Sequence, residues 1–269
     1  MSATATTEDF RVATEGGHIL ARRWQPPAQH SSAPAAAAPI VLLHDSLGCV
    51  ELWREFPALL AQRTGRAVIA YDRAGFGQSD ARSDRMPADF VARESAEAFA
   101  ALRQHLAIED FVVFGHSVGG GMAVHCAARY QGACQALITE AAQAFVEERT
   151  LEGIRQARTA FADPQERARL QRYHGQRTDW VLDAWIGTWL SPQFADFSLR
   201  EVLPLVRCPT LVLHGSEDEY GSPVHPNLIA EHVSGPVQMH LMADTHHVPH
   251  RERPQQVLQL VADFLDDVP

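Results

Sequence analysis

Short apolar runs alternate with longer amphipathic segments along most of the chain. Ile40-Val41-Leu42-Leu43 is apolar throughout, and Leu52–Gln62 after it has helical spacing. Ala67-Val68-Ile69-Ala70-Tyr71 precedes the helical pattern of Ala88–His105, and Phe111-Val112-Val113-Phe114 precedes that of Val118–Tyr130. Runs without polar alternation fit strands buried on both faces, and the helices between them fit the right-handed crossovers of a parallel sheet. Ala136–Thr139 predicts a further strand. Phe10–Thr14 and His18–Trp24 flank Glu15-Gly16-Gly17, which predicts a hairpin ahead of the first parallel strand. The stretch Pro26–Pro39, PPAQHSSAPAAAAP, predicts a surface loop, since Pro and small residues build no core element.

The rhythm breaks from about Ala142 to Arg200, where the pattern is helical and charged and Trp180, Trp185 and Trp189 lie close together. It resumes with a strand at Thr210–Leu213, a helix at Pro226–Val233, a strand at Val237–Met242 and a closing helix at Pro254–Leu265. Residues 1–141 and 204–269 therefore read as two parts of one α/β core. Residues 142–203 read as a helical cap inserted between two sheet strands.

Composition narrows the chemistry. The chain has 269 residues, 46% of them apolar, enough for one sizeable core. Lys+Arg is 23 against Asp+Glu 33, a net charge of −10, and every cation is an arginine. Without lysine, Schiff-base, lysine-base and P-loop chemistry are excluded. An acidic chain with scattered arginines argues against nucleic acid as a partner. Cys49, Cys126, Cys134 and Cys208 are widely spaced with no Cys-x-x-Cys, as expected of reduced core residues. Neither a leader pattern at MSATATTEDF nor a run of membrane-spanning length is seen, so the expectation is a cytoplasmic protein with no membrane partner.

The strongest local signal is Gly115-His116-Ser117-Val118-Gly119, a G-x-S-x-G directly after a predicted strand and before a predicted helix. The glycines permit a tight turn that presents the Ser117 hydroxyl and leaves the Val118 N–H at a helix N-terminus, where it can stabilise an oxyanion. Placed in this rhythm, the motif resembles the nucleophile elbow of the α/β-hydrolase superfamily, and the resemblance covers nearly the whole chain. It implies a mostly parallel eight-stranded sheet with nucleophile, acid and histidine in that order. The cap sequence is similar to that of bacterial relatives of the biphenyl-hydrolase-like group.

The resemblance assigns the remaining positions. His214-Gly215-Ser216-Glu217-Asp218 looks like the family's H-G-x-x-D and selects Asp218 as the acid, with Glu140 after an earlier strand as its rival. Counting back from Glu252 and Pro254 in the pattern G-H-x-x-x-x-E-x-P selects His247 as the base, and puts His246 where a small residue is usual. A metal site on His246, His247 and His250, with His240 nearby, is the alternative, although no carboxylate or cysteine spacing supports it. His44-Asp45-Ser46-Leu47-Gly48 looks like H-G-x-x-G, which pairs the Ser46 N–H with that of Val118 in an oxyanion hole. Asp45 stands in place of glycine, and its carboxylate is expected to turn away from a developing negative charge. Asp72-Arg73-Ala74-Gly75-Phe76-Gly77-Gln78-Ser79 resembles the family's D-x-R-G-x-G-x-S loop and reads as structural.

Leu47, Trp53, Phe145, Trp185 and Trp189 are the candidate pocket residues. A serine nucleophile implies acyl transfer to water, and the absence of lysine excludes the lysine-assisted lyase variant of this fold. Any cationic recognition of a substrate carboxylate must then come from histidine or from arginines such as Arg155, Arg158 or Arg177. The expectation is a cofactor-free serine esterase acting on a small, largely apolar ester or thioester. C–C bond hydrolysis, lactonase or acyltransferase chemistry on the same triad remains open, as does a non-enzymatic receptor that retains it.

Overall fold

The computed structural model describes residues 5–27, 37–266 and 268. Most of the expected loop at 26–39 thus lies outside the described residues. Within them the chain forms β1 (Thr6–Thr14), β2 (Gly17–Gln25), β3 (Ile40–Leu43), α1 (Phe56–Thr64) and β4 (Val68–Tyr71). Next come α2 (Phe90–Arg93), α3 (Ala98–His105), β5 (Phe111–His116), α4 (Val118–Arg129) and β6 (Cys134–Glu140). Between β6 and β7 lie α5 (Glu148–Ala160), α6 (Pro164–His174) and α7 (Thr178–Leu182), the last running into a wide π turn at Asp183–Gly187. The chain ends with β7 (Thr210–Gly215), α8 (Val224–His232), β8 (Val237–Met242), α9 (Pro249–Glu252) and α10 (Pro254–Asp266). No helix among the described residues is long and apolar enough to cross a membrane.

The eight strands form one sheet in the order β1-β2-β4-β3-β5-β6-β7-β8. β1–β2 and β2–β4 are antiparallel and the other pairs are parallel, as the apolar runs predict. Alternate side chains of each run enter different cores. Ile40, Leu42, Val112 and Phe114 meet Phe56, Leu60, Val257 and Val261 of α1 and α10. Val41, Leu43, Phe111 and Val113 meet Phe99, Leu102, Met122 and Ile229 of α3, α4 and α8. Strands sandwiched between helices carry no polar face. The two edge strands differ: β1 is mostly exposed, and β8 exposes Val237, Met239 and Leu241 on one face.

Two predicted helices are broken. Ala88–His105 splits into α2 and α3 at Ser95–Glu97. The Ser95 carbonyl accepts the Tyr130 hydroxyl at 2.9 Å, and Phe99 N–H reaches back to Glu94 O at 3.2 Å instead of to Ser95. Leu52–Gln62 becomes a 3₁₀ turn at Val50–Trp53 followed by α1, separated at Arg54, whose φ is 54°.

The turn from β5 into α4 is the tightest point of the fold. Ser117 has φ 57° and ψ −125°, and α4 begins at the next residue. A Cβ on Gly115 would stand 2.0 Å from the Gly119 carbonyl oxygen, and one on Gly119 would stand 2.2 Å from that of Leu43. These contacts are with backbone, which cannot rotate aside. Gly119→Ala is therefore expected to lower stability by about 3 kcal/mol. Gly132→Ala, whose Cβ meets nothing within 4 Å, is the control and stays within about 0.5 kcal/mol. Urea unfolding midpoints test the difference; equal midpoints would contradict the packing described.

Candidate active site

The loops that follow β3, β5, β6, β7 and β8 meet at the carboxyl end of the parallel strands, where ligands bind in open α/β sheets. Ser117 Oγ lies 3.0 Å from His247 Nε2, and His247 Nδ1 lies 2.9 Å from both oxygens of Asp218. A carboxylate only accepts, so Nδ1 carries a proton and Nε2 of the neutral ring is left to accept the Ser117 hydroxyl. Asp218 Oδ1 also accepts the N–H groups of Tyr220 and Gly221, at 2.7 and 3.0 Å. Burial disfavours its charge, but His247 and His214 and these N–H groups outweigh that and hold the carboxyl below its ordinary pKa.

The structure brings Asp218 to His247 and sends Glu140 elsewhere. The Glu140 carboxylate accepts His250 Nδ1 at 2.6 Å and is fully buried. The motif spacing that selects His247 has a visible cause. Glu252 accepts the N–H of His246 at 2.8 Å and that of Val248 at 3.1 Å, clamping the loop on either side of His247. His116 Nε2 donates to the His247 carbonyl at 2.8 Å and ties the same loop to β5. His246 points outward and pairs with Glu252.

Ser46 lines the site beside Ser117, and its N–H donates to no acceptor among the described residues. Val118 is the first residue of α4, where N–H groups have no intrahelical partner. The Asp45 carboxylate turns only partly away. Oδ1 accepts the Leu47 N–H at 2.7 Å and Oδ2 lies 3.4 Å from His116 Nδ1, yet the residue still lines the cavity. Burial opposes the His116 charge, but the Asp45 hydrogen bond and the fields of Glu140 and Asp45 prevail, so its pKa is raised. When protonated, the His116 ring offsets the Asp45 charge beside Ser46. The Asp72–Ser79 loop braces the same region: Asp72 accepts the Val50 and Gln78 N–H groups, both at 2.6 Å, and Arg73 donates to the Asp45 carbonyl at 2.8 Å.

His116, Glu140 and His250 bring donor atoms within 4.8 Å of one another. Both nitrogens of His116 are already engaged, by Asp45 and by the His247 carbonyl, so the cluster does not present three free lone pairs to a metal. The alternative set His246, His247 and His250 diverges to Glu252, Asp218 and Glu140.

A cavity of about 160 Å³ opens over Ser117. Leu47, Trp185 and Trp189 line it as expected, together with Gln143, Thr150, Ile154, Tyr220 and Val248, which sequence reasoning missed. Two pocket assignments are corrected. Trp53 is buried on the α1–α10 face, its ring 4.8 Å from that of His250, because the 3₁₀ turn directs it under β5. Phe145 packs against His225, its ring tilted by 34° at 4.4 Å, and does not reach the cavity, since its backbone is bridged to Ser198. None of Arg155, Arg158 or Arg177 lines it either. Arg155 pairs with Glu148 and Glu152, and Arg177 donates to the Gly77 carbonyl.

Residues 38–184 match the family model described as alpha/beta hydrolase fold. The chain belongs to the α/β-hydrolase fold family. This hydrolase is 30% identical over 203 residues to the serine hydrolase BPHL of Mus musculus, covering 74% of this chain and 69% of that one. It is 36% identical over 86 residues to a proline iminopeptidase of Lactobacillus helveticus, 32% of this chain and 29% of that one. The crystal structure of proline iminopeptidase from Mycobacterium smegmatis superposes with a TM-score of 0.71 at 25% identity, over 96% of this chain and 98% of that one.

The buried Glu140 carboxylate gives the hydrolase a pH signature. Burial opposes its ionisation, but the His250 and His116 rings beside it prevail and hold its pKa below the ordinary value. Its contribution is complete above about pH 5 and is lost as pH falls through the depressed folded value. Glu140→Gln is expected to cost about 3 kcal/mol at neutral pH. The gap from wild type should narrow steadily as acid is added. Urea titrations at several pH values test this, and a gap that ignores pH would contradict it.

Proposed function

We propose that this hydrolase is a serine esterase that cleaves a small, largely apolar carboxylic ester or thioester through an acyl-enzyme. The reading is carried by the hydrogen-bonded chain from Ser117 Oγ through His247 to Asp218, opening onto a small cavity faced by two indoles. In this reading Ser117 attacks the carbonyl carbon as His247 Nε2 takes its proton. Asp218 fixes the ring and stabilises the imidazolium. The N–H groups of Ser46 and Val118 hold the oxyanion. The leaving alcohol or thiol takes the proton from His247. Water then attacks the acyl-enzyme with His247 again as base, and Ser117 is released.

The helices of residues 142–203 act as the cap. Thr150 and Ile154 of α5, with Trp185 and Trp189 beyond α7, narrow the cavity, which favours short acyl groups over long ones. Among the described residues no arginine faces the cavity, so a substrate carboxylate finds no guanidinium fork there.

p-Nitrophenyl butyrate is expected to turn over with a burst of nitrophenol, and the octanoyl ester to react at least about tenfold more slowly in kcat/KM. Asp218→Asn is expected to lower kcat by about 10³-fold or more, and Glu140→Gln by less than about tenfold. The reverse order would overturn the choice of acid. Preferential cleavage of proline p-nitroanilide, the kind of bond the name proline iminopeptidase denotes, would overturn the ester reading.

A further inference from the structure

Ser117 has one hydroxyl proton and two neighbours placed to receive it. His247 Nε2 is at 3.0 Å, and the side-chain amide of Gln143, with its oxygen toward Oγ, is at 3.1 Å. The first contact fixes the second. In the neutral ring that can act as a base, His247 Nδ1 donates to Asp218 and Nε2 has only a lone pair, so in that form the contact requires the hydroxyl to donate to it. A second acceptor beside the same Oγ would then face a lone pair with no proton between. The amide satisfies the geometry when its NH₂ group is the one turned to Oγ, a half-rotation that exchanges two atoms of nearly equal size.

Gln143 is built for a fixed position. It is buried in the loop after β6 and lines the cavity, and its side chain makes no other hydrogen bond among the described residues. The backbone on either side is anchored: Ala141 N–H donates to Leu213 O at 2.9 Å, Ala144 N–H to His225 Nδ1 at 3.0 Å, and the Ala144 carbonyl accepts Leu199 N–H at 2.7 Å. The amide is not part of the oxyanion hole. Ser46 follows β3 and Gln143 follows β6, and these strands flank β5 on opposite sides.

Resting on the serine-hydrolase reading, we infer that Gln143 is a further catalytic residue, whose amide NH₂ donates to Ser117 Oγ and reserves the hydroxyl proton for His247. Once Oγ becomes the ester oxygen of the acyl-enzyme it is a weaker acceptor. The same N–H is then free for an oxygen or sulfur atom of the substrate on the flank away from Ser46.

The test compares wild type with Gln143→Leu, Gln143→Ala and Gln143→Glu, each verified as folded by near-ultraviolet circular dichroism. The leucine variant keeps the bulk if alanine collapses. The readouts are the rate of Ser117 labelling by a fluorophosphonate and the pH profile of kcat/KM for p-nitrophenyl butyrate. Gln143→Leu and Gln143→Ala are expected to lose about tenfold or more in both. Gln143→Glu is the diagnostic variant. Protonated, its carboxyl still donates to Oγ; ionised, it only accepts and draws the hydroxyl away from His247. Its activity relative to wild type is therefore expected to fall as pH rises through the carboxyl pKa, a change that simple loss of packing does not produce. Variants within about twofold of wild type, with parallel pH profiles, would overturn the role of Gln143 and leave the hydrolase reading standing. Wild type that neither labels nor turns over would overturn both.

Discussion

At Ser117 the backbone is held at φ 57° and ψ −125°, a conformation that costs any residue with a Cβ. Packing over-determines it. Ser117 N–H donates to the Glu140 carbonyl at 2.8 Å, and the Ser117 carbonyl accepts Gly120 N–H at 2.9 Å. The missing side chains of Gly115 and Gly119 let α4 start against β5 and β3 with no space between. The strain lifts the hydroxyl above the sheet and places the start of α4 directly behind it. The surrounding loops are arranged around that point.

What fixes those loops relative to one another is a buried polar chain under the site. Asp45, after β3, faces His116 at the end of β5. His116 holds the carbonyl of His247, after β8, and lies close to Glu140 at the end of β6. Glu140 in turn accepts from His250, which packs on Trp53. The loops after β3, β5 and β8 are thus tied through His116, Glu140 and His250, which are buried, with the half-buried Asp45 at the cavity end. Such a network specifies one arrangement strongly, because each broken member leaves a buried charge or donor without a partner.

The parts of this design that depend on neighbours in sequence were legible before the structure. The elbow rests on two glycines at fixed spacing between an apolar run and a helix, so Ser117 stood out. Counting from Glu252 selects His247, and the clamp by Glu252 on residues 246 and 248 is why that count works. The parallel sheet followed from uninterrupted apolar runs. Where contacts come from far along the chain, local pattern was silent. Gln143 lies in an irregular loop held by His225 and Leu199, and nothing in Ala141-Ala142-Gln143-Ala144 announces it. Trp53 and Phe145 face away from the cavity, because neither a nearby motif nor a place in the cap fixes where an aromatic side chain points. A 3₁₀ turn settled the first, and a backbone bridge to Ser198 settled the second. The break in Ala88–His105 depends on a hydroxyl from Tyr130, which no helical periodicity contains.

The central claim is that the hydroxyl held at the elbow becomes acylated. Rapid acid quenching of the protein during turnover of p-nitrophenyl butyrate, followed by peptide mapping in the mass spectrometer, tests it most directly. A butyryl group is expected on the peptide containing Ser117, formed at the rate of the nitrophenol burst and absent from Ser117→Ala. Turnover with no acylated peptide, or with the acyl group on another residue, would contradict it.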